Sequence, residues 1–263
     1  MKQLLVTKRT LLALPIAVAV AALLHAQTTD TYKPTVGQAG KDVVWVPTPQ
    51  ELVDTMLDMA KVTPQDLVMD LGSGDGRTVI TAAKRGATAM GVEYNPDMVQ
   101  LSKKNAATER VESKATFVQA DLFTVDLSKA SVITMFLLPT INLKLRPSLL
   151  DLKPGTRIVS NTFDMAEWEP DDRKVIGPEG CTSWCTAMLW IVPAKVQGNW
   201  KTGQGNLRIT QSFQKISGTL GTTPITGKLT GDQISFTAAS TSYTGRVNGN
   251  TIQGSNWNAS RIE

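Results

Sequence analysis

Residues 68–77 read VMDLGSGDGR, and this stretch decides the fold. A short apolar run carries one acid, Asp70, and is followed by three glycines at alternate positions, Gly72, Gly74 and Gly76. Helix-forming residues occupy 77–85, so the pattern predicts a strand, a tight turn and a helix. Glycine lets a backbone approach a ligand closely, and the start of a helix offers free N–H groups. Such a turn binds nucleotide-like ligands at the carboxyl edge of a parallel sheet.

A second predicted strand, residues 87–93, also ends in an acid. Glu93 lies 23 positions after Asp70, close to the spacing at which an acid reaches a ribose in nucleotide-binding βαβ folds. Asn95 then caps the next helix. The alternative for Glu93 is a solvated charge at the end of a strand.

The pattern of alternating strands and helices continues along the chain. Residues 115–119, 131–138 and 157–161 are predicted strands, and a helix is expected at about 140–151. The strand at 131–138 is apolar on both faces, as a central parallel strand should be. We therefore expect a doubly wound, Rossmann-like α/β sheet.

Four motifs together indicate more than a fold class. They are DLGSGDGR at 70–77, EYNP at 93–96, DL at 121–122 and FLLP at 136–139. This combination resembles the class I, seven-strand protein-lysine methyltransferases, the family that includes the mitochondrial enzyme modifying the ATP synthase c subunit. The resemblance covers about residues 43–196.

The resemblance implies a site for S-adenosylmethionine. The residues expected to bind this cofactor are Trp45, Asp70, Gly72, Ser73, Gly74, Asp75, Gly76, Glu93, Asn95, Asp121 and Leu122. By resemblance Asp121 meets the adenine amino group, unless it only caps a turn. Trp45 stands where tyrosine is more usual in the family, and it either walls the cofactor or packs in the core.

The family builds its acceptor pocket around residues 163–168, and the resemblance implies a protein lysine as the methyl acceptor. Asp164 and Glu167 are weak candidates for contacting or deprotonating that lysine, with a solvated loop as the alternative. The amine must lose a proton before it reacts. A carboxylate, water or an apolar pocket that depresses the lysine pKa would each serve.

The first 26 residues predict a secretory signal peptide, with basic residues before an apolar run at 11–24 and Ala26 at the expected cleavage point. The run is short for a membrane span. We expect export to the periplasm or envelope, with an uncleaved anchor as the alternative. Residues 27–42 are expected to form a flexible linker, and residues 43–197 the methyltransferase domain.

Removal of the signal peptide changes the composition. It takes away three basic residues and the only histidine, His25, so the net charge falls from +4 to +1. A chain without histidine excludes Ser-His-Asp and Cys-His catalysis and histidine-ligated metal sites, and we expect no metal. A charge of +1 attracts phosphates weakly, and no Asn-Pro-Pro-Tyr-type motif follows the fourth strand, so no strong nucleic-acid signal is present.

Cys181 and Cys185 are the only cysteines. An extended strand would hold their Cα atoms roughly 13 Å apart, whereas a disulfide needs less than about 7 Å. A bond therefore requires a turn between them, which export would permit. The sequence leaves this bond open.

Residues 198–263 have a different composition. They hold 10 of the 20 glycines, and six basic residues against two acids. The segment TGKLTG at 226–231 recurs 18 residues later as TGRVNG at 244–249, with hairpin-type dipeptides at 231–232 and 248–249. We expect a small β-meander, either a sandwich or a partial barrel. Ligand or partner binding and simple packing against the first domain are both open roles.

Two rival functions share features with this sequence. A nicotinamide oxidoreductase would need glycine at position 77, where Arg77 stands. An exported binding protein could keep the methyltransferase fold without turnover. Export favours this second alternative, because S-adenosylmethionine is made in the cytoplasm.

Overall fold

The computed structural model describes residues 32–262, and the predicted signal peptide lies outside them. Within these residues the first domain contains four helices and seven strands. In chain order they are α1 Gln50–Met59, β1 Leu67–Leu71, α2 Arg77–Lys84, β2 Thr88–Glu93, α3 Pro96–Thr108, β3 Ala115–Gln119, β4 Val132–Met135, α4 Pro139–Leu150, β5 Arg157–Asn161, β6 Asp172–Val175 and β7 Thr186–Ile191.

The seven strands form one mixed sheet in the order β3-β2-β1-β4-β5-β7-β6. Strands β1 to β5 are parallel, and β7 runs antiparallel between β5 and β6. The order reverses direction between β1 and β4, which is the switch point where doubly wound sheets bind ligands. The predicted doubly wound, Rossmann-like sheet is confirmed.

Apolar side chains cover both faces of the sheet, as the continuous apolar strands require. Helices α1, α2 and α3 pack on one face through residues that include Leu52, Val79 and Val99. Helix α4 packs on the other face through Ile141, Leu145 and Leu149. With both faces covered, the edge at the carboxyl ends of the parallel strands is left for a site. Across residues 32–262, every helix is too short or too polar to cross a membrane.

Residues 37–45, here called the N-terminal hairpin, precede α1. The Gly37 N–H donates to the Trp45 carbonyl at 2.9 Å, the Trp45 N–H donates to the Gln38 carbonyl at 2.9 Å, and Ala39 pairs with Val44. The expected flexible linker, residues 27–42, lies partly outside the described residues, and its residues 37–42 belong to this hairpin. Their backbone is paired, because the turn brings two short extended segments together.

The second domain is a closed barrel of eight antiparallel strands. These are β8 Gly198–Thr202, β9 Gly205–Ser212, β10 Lys215–Leu220, β11 Thr223–Thr230, β12 Gln233–Ala238, β13 Thr241–Asn248, β14 Thr251–Gly254 and β15 Asn258–Ile262. Each strand pairs with the next, and β15 returns to pair with β8. The predicted meander is thus confirmed, and it closes completely. The internal repeat corresponds to β11 and β13 with the turns that follow them.

Large apolar side chains fill the barrel, as is usual for eight strands. Trp200 and Leu229 are fully buried there, and Phe236 stacks on Tyr243. Outside the barrel, the turn between β9 and β10 packs on the first domain. The Phe213 ring stacks on Trp168 with centroids 6.1 Å apart, and Gln214 donates to the Glu169 carbonyl at 2.7 Å.

Candidate functional site

A cavity of about 480 Å³ lies along the carboxyl edge of the sheet, within the size range of ligand pockets. Parallel strands end at the same edge, so the residues that close or follow β1 to β5 meet there. Because β7 is antiparallel to β5, its first residues reach the same edge. The cavity therefore collects short segments from six strands and from the N-terminal hairpin.

Most of the predicted cofactor residues line this cavity. They are Trp45, Asp70, Gly72, Ser73, Gly74, Asp75, Glu93, Asn95, Asp121 and Leu122. Gly76 is the exception. It precedes α2 with φ +85°, and a Cβ at this position would lie 2.7 Å from the Phe117 ring. The third glycine of the motif thus allows close packing of the turn on β3 instead of facing the cavity.

The Glu93 carboxylate organises the glycine-rich turn. Its Oε2 accepts the Gly74 N–H at 2.9 Å, and its Oε1 accepts the Asn95 N–H at 2.9 Å. Asn95 in turn caps α3 by accepting the Asp97 N–H at 2.9 Å. Each Glu93 oxygen keeps further acceptor capacity, so the carboxylate is held in place and can still accept hydroxyl groups from a ligand.

Asp70 is a buried acid at the floor of the cavity. It is 6% exposed, and its Oδ1 accepts the Thr134 hydroxyl at 2.7 Å. Burial, reinforced by the negative charges of Asp75 and Glu93, raises the pKa of Asp70 from 3.8 to about 7, although the hydroxyl of Thr134 opposes the shift. Three acids around one buried position favour a ligand that brings positive charge.

Asp75 is paired with an arginine. Arg77 Nε and Nη2 donate to the two Asp75 oxygens at 3.0 and 2.6 Å, and Nη1 donates to the Thr48 carbonyl at 2.8 Å. The bidentate pair holds the start of α2 against the segment before α1. The residue that excludes the dinucleotide motif therefore has a structural role of its own here.

The N-terminal hairpin supplies lining residues that the sequence did not single out. Lys41 Nζ lies 3.0 Å from Asp121 Oδ2 and 5.3 Å from the centroid of the Tyr94 ring. The Phe123 N–H and the Lys41 ammonium both hold the pKa of Asp121 below its ordinary value. The closely spaced glycines at 37 and 40 are the signal that could have predicted a turn here.

The cavity has two chemically different ends. The end where the resemblance places the methyl donor, here called the donor end, contains Asp70, Glu93 and Asp121, which close or follow β1, β2 and β3. The aromatic end contains Phe136, Phe163 and Trp184, from the segments after β4, after β5 and before β7. Phe136 stacks on Phe163 with centroids 6.0 Å apart, and it lies 6.1 Å from Trp184.

The two weak catalytic candidates lie outside the cavity lining. Glu167 pairs with Arg146 at 2.7 Å, and this contact keeps the pKa of the exposed carboxyl low. Asp164 accepts the N–H of Ala166 at 3.1 Å and so stabilises its own turn. The structure does not bring either acid to the cavity, because the chain reverses after Phe163 and directs them to the surface.

Comparisons with known proteins agree with this geometry. The model of the ANTKMT methyltransferase domain family matches residues 70–172. A protein-lysine N-methyltransferase of Saccharolobus islandicus is 42% identical over 153 residues, which are 57% of this chain and 94% of that protein. The chain belongs to this family of S-adenosylmethionine-dependent methyltransferases. The predicted enzyme class and cofactor are confirmed.

Two further relatives of the methyltransferase are informative. The human lysine N-methyltransferase of the ATP synthase c subunit is 37% identical over 128 residues, which are 48% of this chain and 54% of that protein. A crystal structure described as an RNA methyltransferase from Salinibacter ruber, in complex with S-adenosyl-L-homocysteine, is 45% identical. It aligns with a TM-score of 0.53 over 57% of this chain and 96% of that chain.

The donor end of the methyltransferase fits its cofactor. The Ser73 Oγ is buried beside the cavity without a hydrogen-bond partner among the described residues, so it has a hydroxyl to offer. A Cβ on Gly74 would lie 2.6 Å from Trp45 Nε1, so a side chain there would crowd the cavity wall. The acids at and around Asp70 suit the positive charges of S-adenosylmethionine. Glu93 would hold the ribose, and Asp121 and Leu122 the adenine.

Proposed function

We propose that this methyltransferase modifies the ε-amino group of lysine in a protein acceptor. The observation that carries the proposal is the aromatic end of the cavity, which lies beside the donor end and is apolar. The acids that line the cavity are Asp42 in the N-terminal hairpin and Asp70, Asp75, Glu93 and Asp121 on the segments of the donor end. The names of the archaeal and human relatives support the same acceptor.

An apolar acceptor site accounts for deprotonation of the acceptor amine, for which the sequence left three alternatives open. S-adenosylmethionine supplies a methyl group bonded to a positively charged sulfur. Rings of Phe136 and Phe163 around a lysine disfavour its ammonium form by desolvation, so its proton passes to water before reaction. With the donor bound, the nitrogen lone pair would form the new N–C bond as the C–S bond breaks, and the electron pair of the C–S bond would stay on the sulfur. The protein's contribution is alignment and exclusion of water.

We also propose that the enzyme acts outside the cytoplasm. The predicted signal peptide at 1–26 motivates this location, and a disulfide between Cys181 and Cys185 is compatible with an oxidising compartment. The methyl acceptor would then be an envelope protein, and the donor would need a route out of the cytoplasm. Mass spectrometry of the native N-terminus tests this: a mature chain should begin after Ala26, and an intact Met1 in a cytosolic fraction would refute export.

Methyl transfer to lysine is tested with a labelled donor. The purified mature protein and the donor are incubated in two separate reactions, one with envelope proteins and one with total RNA. The label is then located by mass spectrometry. We expect labelled lysines that vanish with Glu93→Ala. RNA is a specific second candidate, because the Salinibacter relative is described as an RNA methyltransferase. If only RNA is labelled, the methyl acceptor is an RNA base and not a lysine. If the protein binds the donor but transfers no label, it is an exported binding protein without turnover.

A further inference from the structure

Trp184 is an unusual residue for the position that it occupies. It lines the cavity, yet 45% of its surface is exposed, so burial in the core does not explain a large apolar side chain there. Its backbone has φ +56°, a conformation that residues other than glycine rarely adopt. An exposed aromatic ring held in such a backbone is typical of a contact surface for a ligand.

A disulfide fixes the loop that presents Trp184. Cys181 and Cys185 are bonded, with Cα atoms 5.6 Å apart, so the turn that the bond requires is present and contains Trp184. The closed loop is short, and few backbone conformations remain open to it. The loop adjoins β7, which begins at Thr186. The Thr186 carbonyl accepts the N–H of Thr162, the residue before Phe163, at 2.7 Å.

Hydrogen bonds anchor the backbone of Phe163. Its carbonyl accepts the Ser160 hydroxyl at 2.7 Å and the Asn142 amide at 3.0 Å. Phe136 lies between the two rings, since it stacks on Phe163 and contacts Trp184. Three rings from three separate segments are therefore preorganised around one space next to the donor end.

We propose that Trp184 is a specificity-determining residue that packs on the methylene chain of the acceptor lysine. With Phe136 and Phe163 it forms an aromatic slot that admits a slender alkyl amine and aligns its nitrogen with the donor end. This inference rests on the proposed lysine acceptor, and it assigns the part of the site that selects the acceptor.

The test uses the mature protein saturated with S-adenosylhomocysteine and the probe Nα-acetyl-lysine methylamide. The chain has six tryptophans, and their indole N–H resonances are followed by NMR, with Trp184→Phe assigning one of them. We expect the Trp184 resonance to move on titration, while those of Trp200 and Trp257 in the barrel stay in place. Calorimetry should show that Trp184→Ala weakens the probe at least tenfold, Trp184→Phe by less than threefold, and neither changes S-adenosylhomocysteine affinity more than twofold.

Several outcomes would overturn the inference. Unchanged probe affinity in Trp184→Ala would remove Trp184 from the slot, and a parallel loss of S-adenosylhomocysteine affinity would assign it to the donor end instead. Absence of probe binding to the unmodified protein, or movement of the Trp184 resonance with nucleoside monophosphates only, would also refute a lysine slot. Failure of the proposed function is seen separately, as no methyl transfer to protein despite probe binding at Trp184.

Discussion

The donor end and the aromatic end of the cavity are built in different ways. At the donor end, Asp70 and Glu93 belong to strands, and the glycine-rich turn between them is bonded to Glu93. At the aromatic end, Phe136, Phe163 and Trp184 come from three connections, one of them closed by a disulfide. The first end presents charged carboxylates on ordered strand ends, and the second presents aromatic surface.

Donor binding and acceptor use should therefore be separable by mutation. Changes at the donor end should alter the affinity for S-adenosylmethionine, whereas changes at the aromatic end should alter only the use of the acceptor. Substitutions at each end and reduction of the disulfide test that division.

Glu93→Ala should weaken S-adenosylhomocysteine binding about 100-fold, measured by calorimetry. The Gly74 and Asn95 N–H groups lose a charged acceptor, and hydrogen bonds of that kind contribute about 1.5–3 kcal/mol. The proposed ribose contact is lost as well. Asp97→Ala is the matched control, because Asp97 is an exposed acid on the following helix. Equal losses in the two variants would show that general charge, not Glu93, sets the affinity.

The pH dependence of donor binding tests Asp70. Because its pKa is raised to about 7 in the folded protein, the protonated form stabilises the fold, and that contribution is lost as pH rises through 7. A cationic donor prefers the ionised form, so the dissociation constant of S-adenosylmethionine should fall by up to about tenfold per pH unit as pH rises towards 7.

Asp70→Asn provides the control for that titration. The variant should flatten the dependence of donor affinity on pH, and it should lose less stability than the unmodified protein between pH 5 and 8 in denaturant titrations. A pH profile that is the same in both proteins would exclude Asp70 as the titrating group.

Gly74→Ala should weaken S-adenosylhomocysteine binding about tenfold. Gly74 has φ +54°, and the new Cβ would lie 2.6 Å from Trp45 Nε1; a left-handed backbone also costs an L-residue roughly 1–2 kcal/mol. Gly221→Ala separates the two causes. Gly221 has φ +59°, and a Cβ added there would meet no atom within 4 Å, so this variant should lose similar stability with unchanged affinity.

Reduction of the Cys181–Cys185 disulfide should have the smallest effect, about a threefold rise in the acceptor KM. Closing so short a loop restricts the chain by roughly 2 kcal/mol in entropy models, and release lets Trp184 leave Phe136. Donor affinity should not change. The double variant Cys181→Ser, Cys185→Ser should behave like the reduced protein, and reductant should not affect it further. If donor affinity falls as much as the acceptor KM rises, the two ends of the cavity are not functionally separate.

Much of the donor end could be predicted because its determinants lie close together in sequence. A strand that ends in an acid and runs into glycines specifies its own turn, and Gly72 and Gly74 adopt the positive φ angles that other residues resist. Gly76 shows the limit of the motif, since its neighbour Phe117 comes from β3. The role of this glycine depends on packing that no local pattern reveals.

The aromatic end and the N-terminal hairpin could not be predicted in the same way. Charge makes Asp164 and Glu167 candidates, yet they point to the surface, while Phe163 beside them lines the cavity. Lys41 lies in an expected linker, and its partner Asp121 is 80 residues away. Such contacts depend on the order and direction of the strands.

By itself, the sequence determined the methyltransferase sheet, the acidic and glycine-rich donor end and the β-rich second domain. These follow from local periodicity, from glycine conformations and from acids at strand ends. Only the tertiary structure decided that β15 closes the barrel on β8 and that Trp184 meets Phe136. Trp184 reaches Phe136 because β7 enters the sheet antiparallel beside β5, and this direction brings the disulfide loop to the edge where the parallel strands end.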